Sequence, residues 1–150
     1  MPGIPTTSPT SPAIPAIPHY WRFPAELASV PRARRALAEV LPRACRPQLS
    51  YELRLLASEL VTNAIRHGAR TDRDEVVELL FWTADHHHWL AVCDPSPRQP
   101  VPTPTAPAPD PQACGGRGLL LVDALCDVWA VVPRRTRGKA VVAGVRLPRP

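Results

Sequence analysis

Apolar residues recur every three or four positions over Leu49–His67, and this spacing predicts an amphipathic α-helix. Ser50 is the predicted N-cap of that helix, and Gly68 is predicted to end it. Pro31–Leu41 shows the same helical pattern, with its proline in the first turn, where proline is tolerated. A third, shorter helix is predicted over Gly118–Leu125.

Short apolar or alternating segments between these helices predict β-strands. The predicted strands are Tyr20–Phe23 as a short edge strand, Val76–Trp82 and Trp89–Cys93 as a hairpin with its tip around Ala84–His88, and Asp127–Val132 and Lys139–Leu147. Helices set apart from antiparallel strands indicate an α+β fold. We therefore expect a two-layer sandwich, with helices on one face of a mixed, mostly antiparallel sheet.

Two proline-rich segments interrupt this pattern. Residues 1–24 contain seven of the 21 prolines, which favours an extended, polyproline-like or disordered tail over 1–18, followed by one domain over 19–148. Residues 95–111 contain eight more prolines, and these exclude both a helix and a central strand. A loop of this length inside a compact domain is usually either functional or disordered.

Composition narrows the class of protein. A chain of 150 residues forms one domain with one active site at most. No apolar run of about 18 residues exists and Met1–Pro18 lacks a signal-peptide core, so we expect a cytoplasmic protein without membrane association. The four scattered cysteines indicate reduced thiols. The net charge of +5 is spread out without interleaved aromatics, which argues against nucleic acid and suits an acidic partner or ATP.

Polar side chains form a stripe on the longest predicted helix. Glu59, Asn63 and His67 stand four residues apart, so they share one face of an otherwise apolar element. A solvated helix face is one explanation of this stripe. The other is a site for a cation and phosphate, because carboxylate and amide oxygens suit Mg²⁺.

Two further features could meet that stripe. Asp94 ends an apolar strand before Pro95, where its carboxylate could accept a hydrogen bond from a base amino group or simply form an Asx turn. The glycines of residues 115–118 precede an apolar run, and glycines at a helix N-terminus permit an anion to approach the backbone. Leu121 stands where GxGxxG needs its third glycine, and no GxxxxGK[ST] occurs, which disfavours Rossmann and P-loop sites.

Several other features have ordinary explanations. The His86-His87-His88 run is predicted to be a solvated hairpin tip rather than a metal site, because consecutive strand residues point to opposite faces. Trp82, Trp89 and Trp129 are spaced as strand residues that face the core. Arg134–Arg137 is predicted to be a solvated turn.

Four blocks of sequence follow one another in an order typical of a known family. They are ELVTNAIRHG at 59–68, VCDPSP at 92–97, GGRGLLLVDAL at 115–125 and GKAVVAGVRLP at 138–148. Together they resemble the histidine-kinase-like (GHKL) ATPases, which have the Bergerat ATP-binding fold, and in particular the small bacterial branch that contains anti-sigma-factor serine kinases. The resemblance covers most of residues 20–148.

The resemblance implies roles for single residues. Glu59 matches the carboxylate that activates the attacking nucleophile, Asn63 matches the ligand of the Mg²⁺ that bridges the ATP phosphates, and Asp94 matches the aspartate that receives the adenine amino group. Residues 95–114 would be a lid over ATP. The residues implied to bind the cofactor are Asn63, His67, Asp94, Ser96, Gly115, Gly116, Arg117, Gly118 and Leu119. Two positions depart from the family, since Ser96 replaces a glycine and Ala140 stands where a threonine often helps to fix the base.

By this resemblance the chain is a regulatory ATP-binding protein. It would phosphorylate serine or threonine on a small antagonist protein, bind a sigma factor in alternation, and form a homodimer. The alternative is a non-catalytic interaction module, in which ATP only orders the lid and shapes a partner surface. Nucleic-acid binding through the basic excess is a third hypothesis, which predicts steep salt dependence.

Overall fold

The computed structural model describes residues 18–70, 73–96, 114–135 and 137–149, with the backbone alone over 114–119. The elements are β1 (His19–Pro24), α1 (Ser29–Val40), α2 (Pro47–His67), β2 (Val76–Ala84), β3 (His87–Asp94), α3 (Cys114–Leu125), β4 (Val128–Pro133) and β5 (Lys139–Arg146). Apart from Pro18, the predicted tail lies outside the described residues. Most of the predicted lid also lies outside them.

The five strands form one open sheet in the order β1-β2-β3-β5-β4. Every pairing among the described strands is antiparallel, which confirms the α+β fold and makes the expected mixed sheet purely antiparallel in this part of the chain. Short connections join β2 to β3 and β4 to β5, and such hairpins can only produce antiparallel neighbours. Strand β5 then inserts between β3 and β4, so the centre of the sheet is formed by segments distant in sequence.

The three helices of the described ranges lie on one face of this sheet, as predicted. Helix α2 is central, because it packs against both α1 and α3 as well as against β2 and β3. Its buried leucines and valine, Leu53, Leu56, Leu60 and Val61, recur at helical spacing, and each contributes about 1.5–3 kcal/mol. The sheet contributes Phe23, Val77, Leu79, Phe81, Leu90, Val92, Val141, Ala143 and Val145 to the same core.

Helix α2 begins earlier than predicted. Ser50 is not its N-cap, because the helix starts at Pro47 and the Ser50 N–H donates to the Arg46 carbonyl. Proline suits the first helical position, since its φ is already helical and its missing N–H would have no partner there. Gly68 ends the helix as predicted, but in a right-handed conformation with φ −119° rather than a left-handed cap.

The β2–β3 hairpin has a tighter turn than predicted. Asp85 and His86 have positive φ values of 50° and 58°, which is typical of a two-residue type I′ turn. The expectation of three solvated histidines is therefore wrong for His88, which returns to strand β3 and is buried. Its Nδ1 lies 3.1 Å from Thr83 Oγ1, and burial lowers the pKa of this imidazole.

The tryptophans divide between the two faces of the sheet. Trp129 packs against the helix-side core as predicted, whereas Trp82 and Trp89 form a separate buried cluster on the opposite face. Alternation along a strand shows that two residues share a face but not which face the helices cover.

No helix within the described ranges has the length and apolar character needed to cross a bilayer.

Candidate functional site

Asp94 is the centre of the candidate site. It is the last residue of β3, and it is 2% exposed. Its Oδ1 accepts a hydrogen bond from the Ser96 N–H at 2.8 Å, so the Asx turn considered above is formed. The same oxygen lies 3.1 Å from the Nζ of Lys139, whose side chain is 7% exposed.

The ion pair follows from the pairing of two distant strands. Asp94 and Lys139 are directly opposite each other in the β3–β5 ladder, so their side chains share one face. The Lys139 ammonium also donates to the Ser96 carbonyl at 3.4 Å. A buried carboxylate and a buried amine thus satisfy each other beside a turn that Asp94 itself organises.

Two glycines let the surrounding backbone approach this strand end. A Cβ at Gly68, the residue after α2, would lie 2.5 Å from both Asp94 carboxylate oxygens. A Cβ at Gly138, which has φ +84°, would lie 2.6 Å from the Pro95 Cα. Both separations are too short for a real side chain, so the ends of α2, β3 and the β4–β5 turn meet only because these residues are glycines.

Burial governs the electrostatics of Asp94. Desolvation raises the pKa of its carboxyl above the ordinary value, while the Ser96 N–H and the Lys139 ammonium offset part of that effect. Lys139 therefore acts mainly as the counter-charge that allows the Asp94 carboxylate to be ionised although it is buried. An ionised carboxylate is a pure acceptor, which is the form that a base amino group requires.

The polar stripe of α2 runs away from Asp94 along the helix axis. Glu59 and Asn63 are half-buried at the border of the apolar face, and His67 is exposed in the last turn. Asn63 precedes Gly68 by five residues, or about 7.5 Å of helix. Burial raises the pKa of Glu59, and the charge of Arg66 opposes this shift. No hydrogen bond to the Asn63 side chain forms within the described ranges.

The glycine segment is not the loop that the sequence predicted. Helix α3 begins at Cys114, four residues before the expected start at Gly118, so Gly115, Gly116 and Arg117 lie in its first turn and Leu119 follows in the second. Each glycine in a helix costs about 1 kcal/mol. The extra turn can still form, because extending a helix that packing already stabilises avoids the larger cost of nucleation. The structure describes only the backbone of residues 114–119.

Two ion pairs connect the β4–β5 turn to β2 and to Glu75, the residue before it. Arg134 Nη1 lies 2.7 Å from Glu78 Oε2, and Arg137 Nη2 lies 3.2 Å from Glu75 Oε2. Both arginines remain solvent-accessible, in keeping with the predicted solvated turn, although each is also ion-paired. Pairs this exposed stabilise little, but they fix the turn that carries Gly138 beside Asp94.

Two of the predicted cofactor-binding residues, Asp94 and Ser96, lie next to Gly68, which the sequence predicted only as a helix stop. Glu59 and Asn63 lie further back on α2, and no contact joins their side chains to Asp94 among the described residues. The sequence interpretation missed Lys139, although it is the only lysine in the chain and directly follows a glycine. The use of a lysine at this one position, in a chain whose other basic residues are arginines, could have indicated a specific role for Lys139. No group of three or more metal-ligating side chains occurs within the ranges described above.

Replacing Gly68 by alanine is expected to destabilise the protein by about 1–3 kcal/mol, because the new methyl group would overlap the Asp94 carboxylate. Urea denaturation would measure the change in the free energy of unfolding. Arg66→Ala, an exposed change in the last turn of α2, is the control and should be nearly neutral. A Gly68→Ala protein as stable as the parent would show that the carboxylate can move at no cost.

The chain matches a known protein family over most of its length. Residues 23–144 match a family model described as the histidine kinase-like ATPase domain. The match includes both the polar stripe of α2 and the strand end at Asp94. A search of curated proteins finds no match to the chain.

Proposed function

This chain belongs to the histidine kinase-like ATPase domain family, and from that premise we propose that it is an ATP-dependent serine/threonine kinase of the anti-sigma-factor type. Family membership implies ATP binding in a kinase-like or ATPase role. The finer proposal is that the acceptor is a hydroxyl on a small antagonist protein. The sigma factor as alternating partner and the homodimer belong to the same proposal, and they rest on the four sequence blocks that resemble that branch.

The buried, ion-paired Asp94 is the observation that carries the proposal. A carboxylate at 2% exposure is costly, and a protein that needed only structure could place an apolar residue there. The Asp94 carboxylate is a hydrogen-bond acceptor beside Gly68 and Gly138, and it would suit the amino group of adenine. The Asn63 amide, about 7.5 Å before Gly68 on α2, would hold a Mg²⁺ ion, which would supply positive charge to the phosphates.

Glu59 would act as the general base in this proposal. The substrate hydroxyl oxygen forms a bond to the γ-phosphorus, its proton passes to the Glu59 carboxylate, and the bond to the β,γ-bridging oxygen breaks to release ADP. The raised pKa of Glu59 favours this role, because a base works best when its pKa approaches the operating pH. The first-turn N–H groups of α3 would stabilise charge on the phosphates.

Glu59→Gln is expected to lower the rate of phosphoryl transfer by about 10²–10⁴-fold, because the side chain keeps its shape but loses its basicity. The assay follows labelled phosphate from ATP to a candidate antagonist, and the affinity for ATP should remain within about twofold because Glu59 does not contact the base. Glu39→Gln, an exposed change on α1, is the matched control.

The result also separates the kinase from its alternative. Transfer by the parent protein that is lost in Glu59→Gln supports the kinase. Absence of transfer by the parent, together with partner binding that depends on ATP, contradicts the kinase and supports the non-catalytic module.

A further inference from the structure

The sheet has a second apolar face, which we call the tryptophan face. It is formed by Leu80, Trp82, Ala84, Trp89, Ala91 and Val142. All three helices lie on the other side of the sheet, because every apolar residue that they bury belongs to the helix-side core. No described helix or strand therefore packs over the tryptophan face.

The two indoles on this face are nevertheless almost inaccessible. Trp82 is 4% exposed and Trp89 is 9% exposed, and the two rings stack at a centroid distance of 6.4 Å. Trp89 lies flat over β5, since a Cβ at Gly144 would be 2.7 Å from its Cζ3 atom. A ring that lies flat on a sheet has an outer surface, and burial of that surface needs a covering segment.

The covering segment must also accept a hydrogen bond. The Trp89 Nε1–H donates to the Ala84 carbonyl at 3.0 Å, but the Trp82 Nε1–H is buried with no acceptor among the described residues. A buried N–H without a partner costs about 1–3 kcal/mol. An occupant with free backbone carbonyls would remove that cost.

The chain enters the structure beside Trp82. His19 pairs with Phe81 in the β1–β2 ladder, so the next position outward places Pro18 opposite Trp82 and on the same face. Residues 1–17 therefore join the fold at the margin of the tryptophan face.

The sequence of that segment matches what the face requires. Prolines recur every third residue at Pro9, Pro12, Pro15 and Pro18, which is the period of a polyproline II helix and aligns them on one edge. Residues 1–17 contain no charged side chain. At about 3.1 Å per residue, residues 9–17 could span about 28 Å, more than the roughly 19 Å across five strands. Polyproline II carbonyls make no internal hydrogen bonds, so one is free to accept from Trp82.

We propose that the proline-rich segment 9–17 binds across the tryptophan face as a polyproline II helix, packs its proline edge on Trp82 and Trp89, and accepts the Trp82 Nε1–H. Aromatic surfaces that bear an indole N–H suit this ligand, because it is already ordered before it binds and loses little entropy. The tryptophan face is then an intramolecular docking surface on the side of the sheet opposite the helices.

The test uses the full chain with ¹⁵N-labelled tryptophan, which gives four indole N–H signals. Pro12→Glu/Pro15→Glu introduces charge on the proline edge and should speed solvent exchange of the Trp82 indole by about tenfold or more. Thr6→Glu/Thr7→Glu adds the same charge outside the span needed to cross the sheet, and should leave the exchange unchanged. Trp129 is an internal control, because its indole bonds to Asp123 on the far side of the fold.

Each outcome decides the proposal. Faster exchange of Trp82 alone supports it. If Trp129 also changes, the fold has been disturbed, and Pro12→Ala/Pro15→Ala replaces the charged variant, with a smaller acceleration at Trp82 still expected. Unchanged Trp82 exchange in both proline variants overturns the proposal. A Trp82 indole that exchanges faster when the protein is diluted, but not when the prolines are replaced, also overturns the proposal. That result would identify a second copy of the chain as the cover.

Discussion

Lys139→Met is expected to lower the free energy of unfolding by about 3–5 kcal/mol, because it leaves the Asp94 carboxylate buried without its counter-charge. Methionine keeps most of the length of the lysine stem, so the loss measures the charge rather than a cavity. Chemical denaturation of the parent and variant proteins provides the measurement. Arg35→Met removes a cation from an exposed position on α1 and should change stability by less than about 0.5 kcal/mol.

A double-mutant cycle identifies the cause of that loss. In Lys139→Met/Asp94→Asn the uncompensated charge is absent, so the double variant should be more stable than Lys139→Met alone. Simple additivity of the two single changes would contradict an interaction between the side chains.

The dependence on pH has a defined sign. Burial holds the folded-state pKa of Asp94 above its unfolded value, so its contribution to stability is fully present below the ordinary value of 3.8 and is lost as the pH rises through the folded-state pKa. Removing Lys139 removes one of the groups that lower this pKa. The deficit of Lys139→Met should therefore shrink on acidification towards pH 4 and be largest at neutral pH.

Asp94→Asn is expected to weaken Mg²⁺·ATP binding by about 10–100-fold, since a hydrogen bond to a charged acceptor contributes about 1.5–3 kcal/mol. Asn63→Ala should also weaken binding, through loss of the proposed Mg²⁺ ligand. Calorimetric titration at a temperature where each variant remains folded measures both effects. Asp85→Asn makes the same chemical change in the turn at the opposite end of the β2–β3 hairpin, and its affinity should equal that of the parent.

The two variants test different parts of the proposed site. Loss of affinity in Asp94→Asn for adenosine as well as for ATP assigns Asp94 to the base rather than to the phosphates. Parent-like affinity in a folded Asp94→Asn protein would contradict the adenine role. Loss in Asn63→Ala that does not depend on Mg²⁺ would contradict its role as a metal ligand.

Local patterns predicted most of the elements. The 3.6-residue period gives α2 and the alternating residues give β2, β3 and β5, since these features depend on neighbours in sequence. Element ends were less accurate because local signals compete. Pro47 begins α2 in place of the Ser50 cap, and α3 extends through glycines that local propensity disfavours.

The candidate site was only partly predictable because its contacts are non-local. Asp94 stood out as a carboxylate at a strand end, but its partner Lys139 is 45 residues away and meets it only through the β3–β5 pairing. Gly68 was identified as a helix stop, whereas its close approach to Asp94 is the stronger reason for a glycine there. Which face Trp82 occupies likewise depends on where the helices pack.

The burial of Lys139 has a practical consequence for chemical labelling. Because it is the only ε-amine in the sequence and its side chain is 7% exposed, an acylating reagent finds no accessible lysine on the intact fold. Any modified side-chain amine then comes from a molecule in which the end of β3 has separated from β5. Mass spectrometry would then measure the fraction of molecules that carry this single adduct, which is the fraction that opened at this strand end during labelling.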